Sequence, residues 1–243
     1  MHYYFISGTS SGIGRAITLL LLEREDVQVI GMSRTCTIEH AKYTHLYVDL
    51  SDPDQVTLAI KSFENNYSVD DTLYLINNAG VIDPIKYAQA YNESDIQKMI
   101  HVNLISAIQL ISAFLKIPKG TYRSRVILSV SSGAATKVID GWSLYGAAKA
   151  GLDHFSNHVA KELMLLGETE TQIFSVAPGV VDTPMQKKIR ETNPDSFSTI
   201  ERFNELHITN QLVSPDIIAQ KYLRILDEPR TFLNVIFSIK DLS

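Results

Sequence analysis

A chain of 243 residues, 45% of them hydrophobic, is long enough for one substantial core and short enough to be a single α/β domain. Its formal net charge of −5 contains no long run of one sign, so the basic face of a nucleic-acid binder is missing and the mild acidity reads as solubility. A single cysteine, Cys36, rules out an intramolecular disulfide, suits a reducing compartment and is read as an inert thiol.

The first residues, MHYYFISG, lead straight into a strand, with no basic segment followed by an apolar one, so no signal peptide is expected. Residues 2–7 read as a strand and 13–24 as a helix with Ala16, Ile17, Leu20 and Leu21 on one face. Residues 27–33 and 45–48 read as strands, 53–65 as a helix opened by a proline, and 72–76 as a further strand. Residues 92–115 read as a helix with a break, 125–130 as a strand, 145–165 as a helix and 172–176 as a strand. A helix over 215–226 and a last strand over 232–239 complete the order. The strands are apolar nearly throughout (LYLI, VILSV, IFSV), as in a parallel sheet covered on both faces. The alternation predicts a doubly wound α/β fold with three α/β/α layers and a single domain over 1–243. Only 184–214 has no clear place in the sheet; following a strand end, it is expected to be a substrate lid. The apolar stretch from Leu104 to Ile117 is too short and too interrupted for a membrane span, and cytoplasmic location is expected. Because 104–115 is apolar on nearly every side, it calls for a second packing partner, and a homo-oligomer, dimer or tetramer, would supply one.

The first strand runs into Ser7-Gly8-Thr9-Ser10-Ser11-Gly12-Ile13-Gly14 and then a helix. Glycines let backbone approach a ligand closely, and a helix N-terminus offers free N–H groups to a pyrophosphate. The spacing is G-x-x-x-G-x-G rather than G-x-G-x-x-G. At the end of the second strand, where a carboxylate would bond the adenosine ribose, the chain has Ser33-Arg34. No carboxylate there repels a 2′-phosphate and Arg34 can pair with one, so NADPH/NADP+ is expected over NAD. Asp49, ending the third strand, is placed either to accept from the adenine amino group or to cap its loop.

Tyr145 and Lys149, four residues apart on a helix, share a face. Lys149 together with an oxidised nicotinamide ring would lower the Tyr145 phenol pKa, fitting it for proton transfer with a carbonyl oxygen. Ser132, just past a strand end, can hold that oxygen as charge develops. A Tyr-x-x-x-Lys pair alone is common; the joint occurrence of these parts carries the reading. His154, His158 and Glu162 recur every four residues on the same helix, remote from this chemistry and short of four zinc ligands, so no metal is expected. A hydrolase reading fails for want of a G-x-S-x-G elbow.

Over nearly its whole length the chain resembles the short-chain dehydrogenase/reductases, a family with the Rossmann fold. SGTSSGIG resembles the family's cofactor turn, so Gly8, Ser10, Gly12, Ile13 and Gly14 are implied cofactor contacts. Asp49-Leu50 resembles its adenine-contact motif and Asn77-Asn78-Ala79-Gly80 its cofactor-lining motif. Asn103 falls where the family places an asparagine supporting a water-linked proton relay, completing a tetrad with Ser132, Tyr145 and Lys149. The run 178–183, PGVVDT, resembles the loop that holds the nicotinamide amide, implying roles for Pro178, Gly179, Val181 and Thr183. Ser7 replaces the family's usual threonine, keeping the hydroxyl. Within the family, SSGAA, GWSLYGAAKAGLD and PGVVDTPMQ look like the bacterial benzil reductases and, less closely, sepiapterin reductases. That resemblance implies reduction of one carbonyl of an α-diketone to an (S)-hydroxyketone, with hydride from NADPH and a proton from Tyr145. Trp142 reads equally as an aromatic substrate wall or as ordinary packing. A pteridine or 3-oxoacyl reductase is the alternative enzyme, and a non-catalytic NADPH-binding regulator the alternative of another class.

Overall fold

The computed structural model describes residues 1–242. Seven strands form one parallel sheet in the order β3-β2-β1-β4-β5-β6-β7. They are β1 (His2–Ser7), β2 (Val27–Ser33), β3 (Tyr43–Tyr47), β4 (Thr72–Asn77), β5 (Ser124–Val130), β6 (Thr171–Ala177) and β7 (Ile236–Ser238). Every pairing is parallel. The order reverses direction between β1 and β4, and a crevice opens beyond the carboxyl ends of strands at such a switch point.

Eight α-helices cover the sheet among the described residues: α1 (Gly12–Leu22), α2 (Pro53–Lys61), α3 (Glu93–Ile100), α4 (Ser106–Leu115), α5 (Ser143–Leu165), α6 (Pro184–Arg190), α7 (Ile200–Ile208) and α8 (Pro215–Asp227). Each sheet face has its own apolar layer. Ile17 and Leu21 of α1 and Tyr222 and Ile225 of α8 pack with Tyr4, Ile6 and Leu128 on one side. Val56 of α2, Leu110 and Phe114 of α4 and Leu152 and Val159 of α5 pack with Phe5, Leu75 and Ile127 on the other. Burial on both faces explains why β4 is buried at all six positions and shows no alternation. A third cluster, including Trp142, Tyr145, Ile189, Phe197 and Phe203, sits over the carboxyl edge.

Three expectations are refined. The predicted break in 92–115 is a π-helical turn, His101–Ile105, which joins α3 to α4 without ending the helix. Glu93–Leu115 is therefore one 23-residue helix, long and apolar enough by length and composition to cross a membrane, whereas the sequence reading weighed only 104–117. One face of it is core, with Met99, Leu110, Ile111 and Phe114 almost wholly buried inside the protein, while Ile96 and Ile105 are exposed. The last strand is only Ile236–Ser238, ended by a 3-10 turn, Ile239–Asp241. The segment 184–214 is folded, carrying α6 and α7. It leaves and returns at one place, where Val181 bridges Val213 and Asp182 N donates to Val213 O at 2.9 Å.

Candidate active site

A cavity of about 820 Å³ opens at the carboxyl ends of β1, β2, β4, β5 and β6. That volume suits a sizeable small molecule. At one end lies the turn between β1 and α1. Gly8 has φ +77, and a Cβ there would stand 2.9 Å from Ala79 Cα. At Gly14 a Cβ would lie 2.3 Å from both Gly8 O and Asn78 Nδ2, so this glycine lets the helix start close against the turn. Asn78 ties the turn to β4: its Nδ2 donates to Ser7 O and Gly8 O, each at 3.0 Å. The Ser7 hydroxyl accepts from Asn78 N at 3.1 Å and Ala79 N at 3.0 Å, so the serine does here what a threonine hydroxyl would. Helix α1 begins at Ser11 with no side-chain cap and no acidic residue in its first turn. Its N–H groups and dipole are left for an anion, and the cradle fits a dinucleotide pyrophosphate.

Ser33 and Arg34 line the cavity beyond this turn. The Ser33 hydroxyl donates to Thr35 O at 2.9 Å, and Arg34 is exposed. Asp49 and Leu50 line the same end. Asp49 Oδ1 accepts from Ser51 N at 2.9 Å and Ser51 Oγ at 2.7 Å, so the loop-capping role is realised while the carboxylate still borders the cavity. Burial works against its charge, but the two Ser51 bonds and the nearby Arg34 outweigh it and hold the carboxyl below its usual range.

At the other end, Ser132, Tyr145 and Lys149 converge. Ser132 caps a 3-10 turn, its hydroxyl accepting from Ala134 N at 3.1 Å. Tyr145 lies in the first turn of α5, which starts two residues before the predicted boundary. Burial pushes its phenol up, and the neighbouring Ser132 hydroxyl offsets this in part. The Lys149 ammonium donates to Val130 O at 2.7 Å, with Nζ 5.9 Å from the centre of the Tyr145 ring. Burial brings Lys149 down to about 8, while the charge of Asp153 supports its protonation. Asp153, one turn further along α5, is buried and accepts from Ser175 Oγ at 2.6 Å. The sequence reading passed over Asp153, although its i+4 spacing from Lys149 was visible.

Trp142 is packed and also borders the cavity. It stacks on Phe197 at 5.4 Å, stands edge-on to Tyr145 at 5.8 Å, and lines the cavity. Phe203, Met185 and Ile189 reach the same wall from 184–214 and were not singled out by sequence, because no motif marks them. Pro178, Gly179, Val181 and Thr183 line the cavity between its two ends. Ser10, Gly12, Ile13, Ala79 and Gly80 also line it.

Two predicted residues stand behind the wall. Gly14 acts through close packing, as above. Asn103, in the π-helical turn, is almost wholly buried, and its Nδ2 donates to Val81 O at 2.8 Å and Met99 O at 3.0 Å. Val81 N donates back to Asn103 Oδ1 at 3.0 Å. The side chain thus anchors the β4 loop. On α5, the exposed His154 and His158 rings meet at 3.1 Å, and no group of three or more potential metal-binding side chains forms among the described residues.

A model of the short chain dehydrogenase family matches residues 3–194. Two curated relatives are named benzil reductase ((S)-benzoin forming). The one from Bacillus subtilis is 36% identical, with 94% of each chain covered. The one from Bacillus cereus is 34% identical, over 93% of this chain and 94% of its own. A solved short chain dehydrogenase/reductase from Saccharomyces cerevisiae superposes with a TM-score of 0.84 at 25% identity, covering 100% of this chain and 97% of that one. With the family's motifs gathered at one cavity and its fold reproduced from end to end, the chain belongs to the short-chain dehydrogenase family of nicotinamide-dependent oxidoreductases.

Proposed function

We propose that this chain is an NADPH-dependent carbonyl reductase that converts one carbonyl of an aromatic α-diketone, such as benzil, into an (S)-hydroxyketone. The observation that carries the reading is the Ser132–Tyr145 hydroxyl pair beside an aromatic wall of Trp142 and Phe203. The benzil reductases named above support the substrate class. NADPH is preferred because Arg34, not a carboxylate, follows the end of β2.

A nicotinamide cofactor, held by the glycine turn and the 178–183 loop, would supply the hydride when bound. Tyr145 hands its hydroxyl proton to the substrate oxygen, and Ser132 orients that oxygen through its own hydroxyl. Lys149 keeps a positive charge close beneath the phenol, which favours the phenolate left after transfer, and Asp153 keeps Lys149 protonated. Asn103 holds the β4 loop against the helix, and with it Gly80 and Val81 at the cavity wall. Residues 184–214 act as the substrate cover, excluding water with Ile189 and Phe203. A homo-oligomer would cover the half-exposed face of α4, which light scattering tests.

The deciding assay follows NADPH oxidation by absorbance with benzil, an aryl alkyl diketone, sepiapterin and a β-ketoacyl thioester, each repeated with NADH. Fast turnover of the aromatic diketones with NADPH alone is expected. Bound NADPH with no turnover of any substrate would overturn the reductase reading.

A further inference from the structure

Beneath the cofactor end runs a chain of hydrogen bonds in which Thr9, Tyr43 and His45, none of them lining the cavity, lead to Ser33, which does. Thr9, wholly buried within the glycine turn, meets Tyr43 OH at 2.8 Å. Tyr43 OH meets His45 Nδ1 at 3.0 Å, and His45 Nε2 meets Ser33 O at 3.1 Å. The direction follows from chemistry. A carbonyl oxygen only accepts, so His45 Nε2 carries a hydrogen. Burial holds the His45 pKa below its ordinary value, with the Ser33 bond partly opposing, so the ring is neutral near pH 7 and its Nδ1 accepts. Tyr43 therefore donates to His45, and its oxygen accepts from Thr9. The Thr9 hydroxyl also lies 3.4 Å from Ser33 Oγ, a contact without a hydrogen bond, since the Ser33 proton goes to Thr35 O and the Thr9 proton to Tyr43.

The arrangement is built into the sheet. Tyr43 and His45 are alternate residues of β3, so both side chains leave the same face. His45 pairs in register with Gly31 of β2, and a Cβ on Gly31 would lie 2.2 Å from Tyr43 OH. The glycine is the space through which the phenol reaches the turn. The two ends of the chain are the two anion-facing places of the cofactor end. Thr9 belongs to the turn that cradles pyrophosphate, and Ser33 O belongs to the peptide group that joins Ser33 to Arg34. Val48 N donates to the same oxygen at 3.2 Å.

We propose that Tyr43 and His45 are positioning residues for cofactor selectivity, bracing the Ser33–Arg34 corner at a set distance from the glycine turn so that Arg34 meets a 2′-phosphate. The proposal rests on the NADPH reading above. Arg34 is long and exposed, so its affinity for phosphate depends on how firmly its backbone is held. NADH, with no 2′-phosphate, draws little on that corner.

The test is a fluorescence titration of NADPH and NADH against the wild-type protein and the variants Tyr43→Phe, His45→Gln, Arg34→Ala and Tyr43→Phe/Arg34→Ala. Tyr43→Phe keeps the ring under Gly31 and removes only the hydroxyl. Each brace variant is expected to lower the NADPH:NADH affinity ratio by about three- to tenfold, nearly all of it through NADPH. In the Arg34→Ala background, Tyr43→Phe is expected to change the ratio no further, because the brace acts through Arg34. A ratio unchanged by both brace variants but collapsed by Arg34→Ala overturns the brace and leaves the NADPH reading standing. An equal fall with and without Arg34 also overturns it, since that is a general loosening of the turn. A wild-type protein with no preference for NADPH overturns the NADPH reading itself and the brace with it.

Discussion

The two ends of the cavity are built from different materials. The cofactor end is backbone and short polar side chains: Gly8 and Gly14 packed against the loop that follows β4, the Ser7 hydroxyl accepting twice, and helix α1 left uncapped. The substrate end is apolar side chains from distant parts of the chain, with Trp142 from the start of α5 meeting Phe197 and Phe203 from 184–214. Backbone geometry tolerates almost no substitution, whereas an apolar wall can be repacked. The cofactor end should therefore be specific in its ligand, and the substrate end adjustable.

The largest expected effect lies where the ends meet. Tyr145→Phe removes the proposed proton donor, and kcat is expected to fall by about 10²- to 10⁴-fold, while NADPH titration still saturates. Retained turnover would sink the proton-donor assignment. At the cofactor end, Gly14→Ala puts a Cβ against backbone at Gly8 O, which cannot yield as a flexible side chain would. NADPH and NADH binding should both be lost, measured by titration alongside circular dichroism to check the fold. At the substrate end, Trp142→Ala should raise the KM for benzil roughly tenfold or more and re-rank the diketones, leaving the NADPH Kd within about twofold. A matching change in NADPH Kd would mean that the ends are coupled rather than separate. Arg34→Ala should raise the NADPH KM by about tenfold, affecting kcat less and NADH little.

The smallest effect is in pH. Lys149, buried and brought down to about 8, is needed as an ammonium, so activity should fall as pH rises through that region. The carboxylate of Asp153 raises the Lys149 pKa, so Asp153→Asn lowers it further. The alkaline limb of kcat/KM should then move to lower pH, by about half a unit or more, with the plateau at acid pH preserved. A uniform loss of rate with no shift of the limb would make Asp153 only a packing residue bonded to Ser175.

Much of this was legible in the chain itself. Continuous apolar strands announced a parallel sheet, and the glycine turn, Ser33-Arg34 and Tyr145/Lys149 announced a site, because each depends on local backbone or on helical spacing. The helices within 184–214 were missed: α6 and α7 have 7 and 9 residues, too short for a clear periodic signal. The hydrogen bonds of Asn103 to Val81 were not legible, since they depend on how the π-helical turn meets the β4 loop.

Sequence alone determined the sheet, the type of cofactor turn and the residue types that carry the chemistry, because periodicity, glycine and fixed spacing act over a few residues. Tertiary structure decided which titratable groups are charged and what the substrate wall is made of. Lys149 is depressed by burial from every side and supported by Asp153, which Ser175 of β6 holds. The Thr9–Tyr43–His45–Ser33 chain of hydrogen bonds exists only because β3 lies beside β2 in one register, with a glycine opposite the histidine. Desolvation and cross-strand contact are properties of packing between elements far apart in the chain, and no local pattern of residues encodes them.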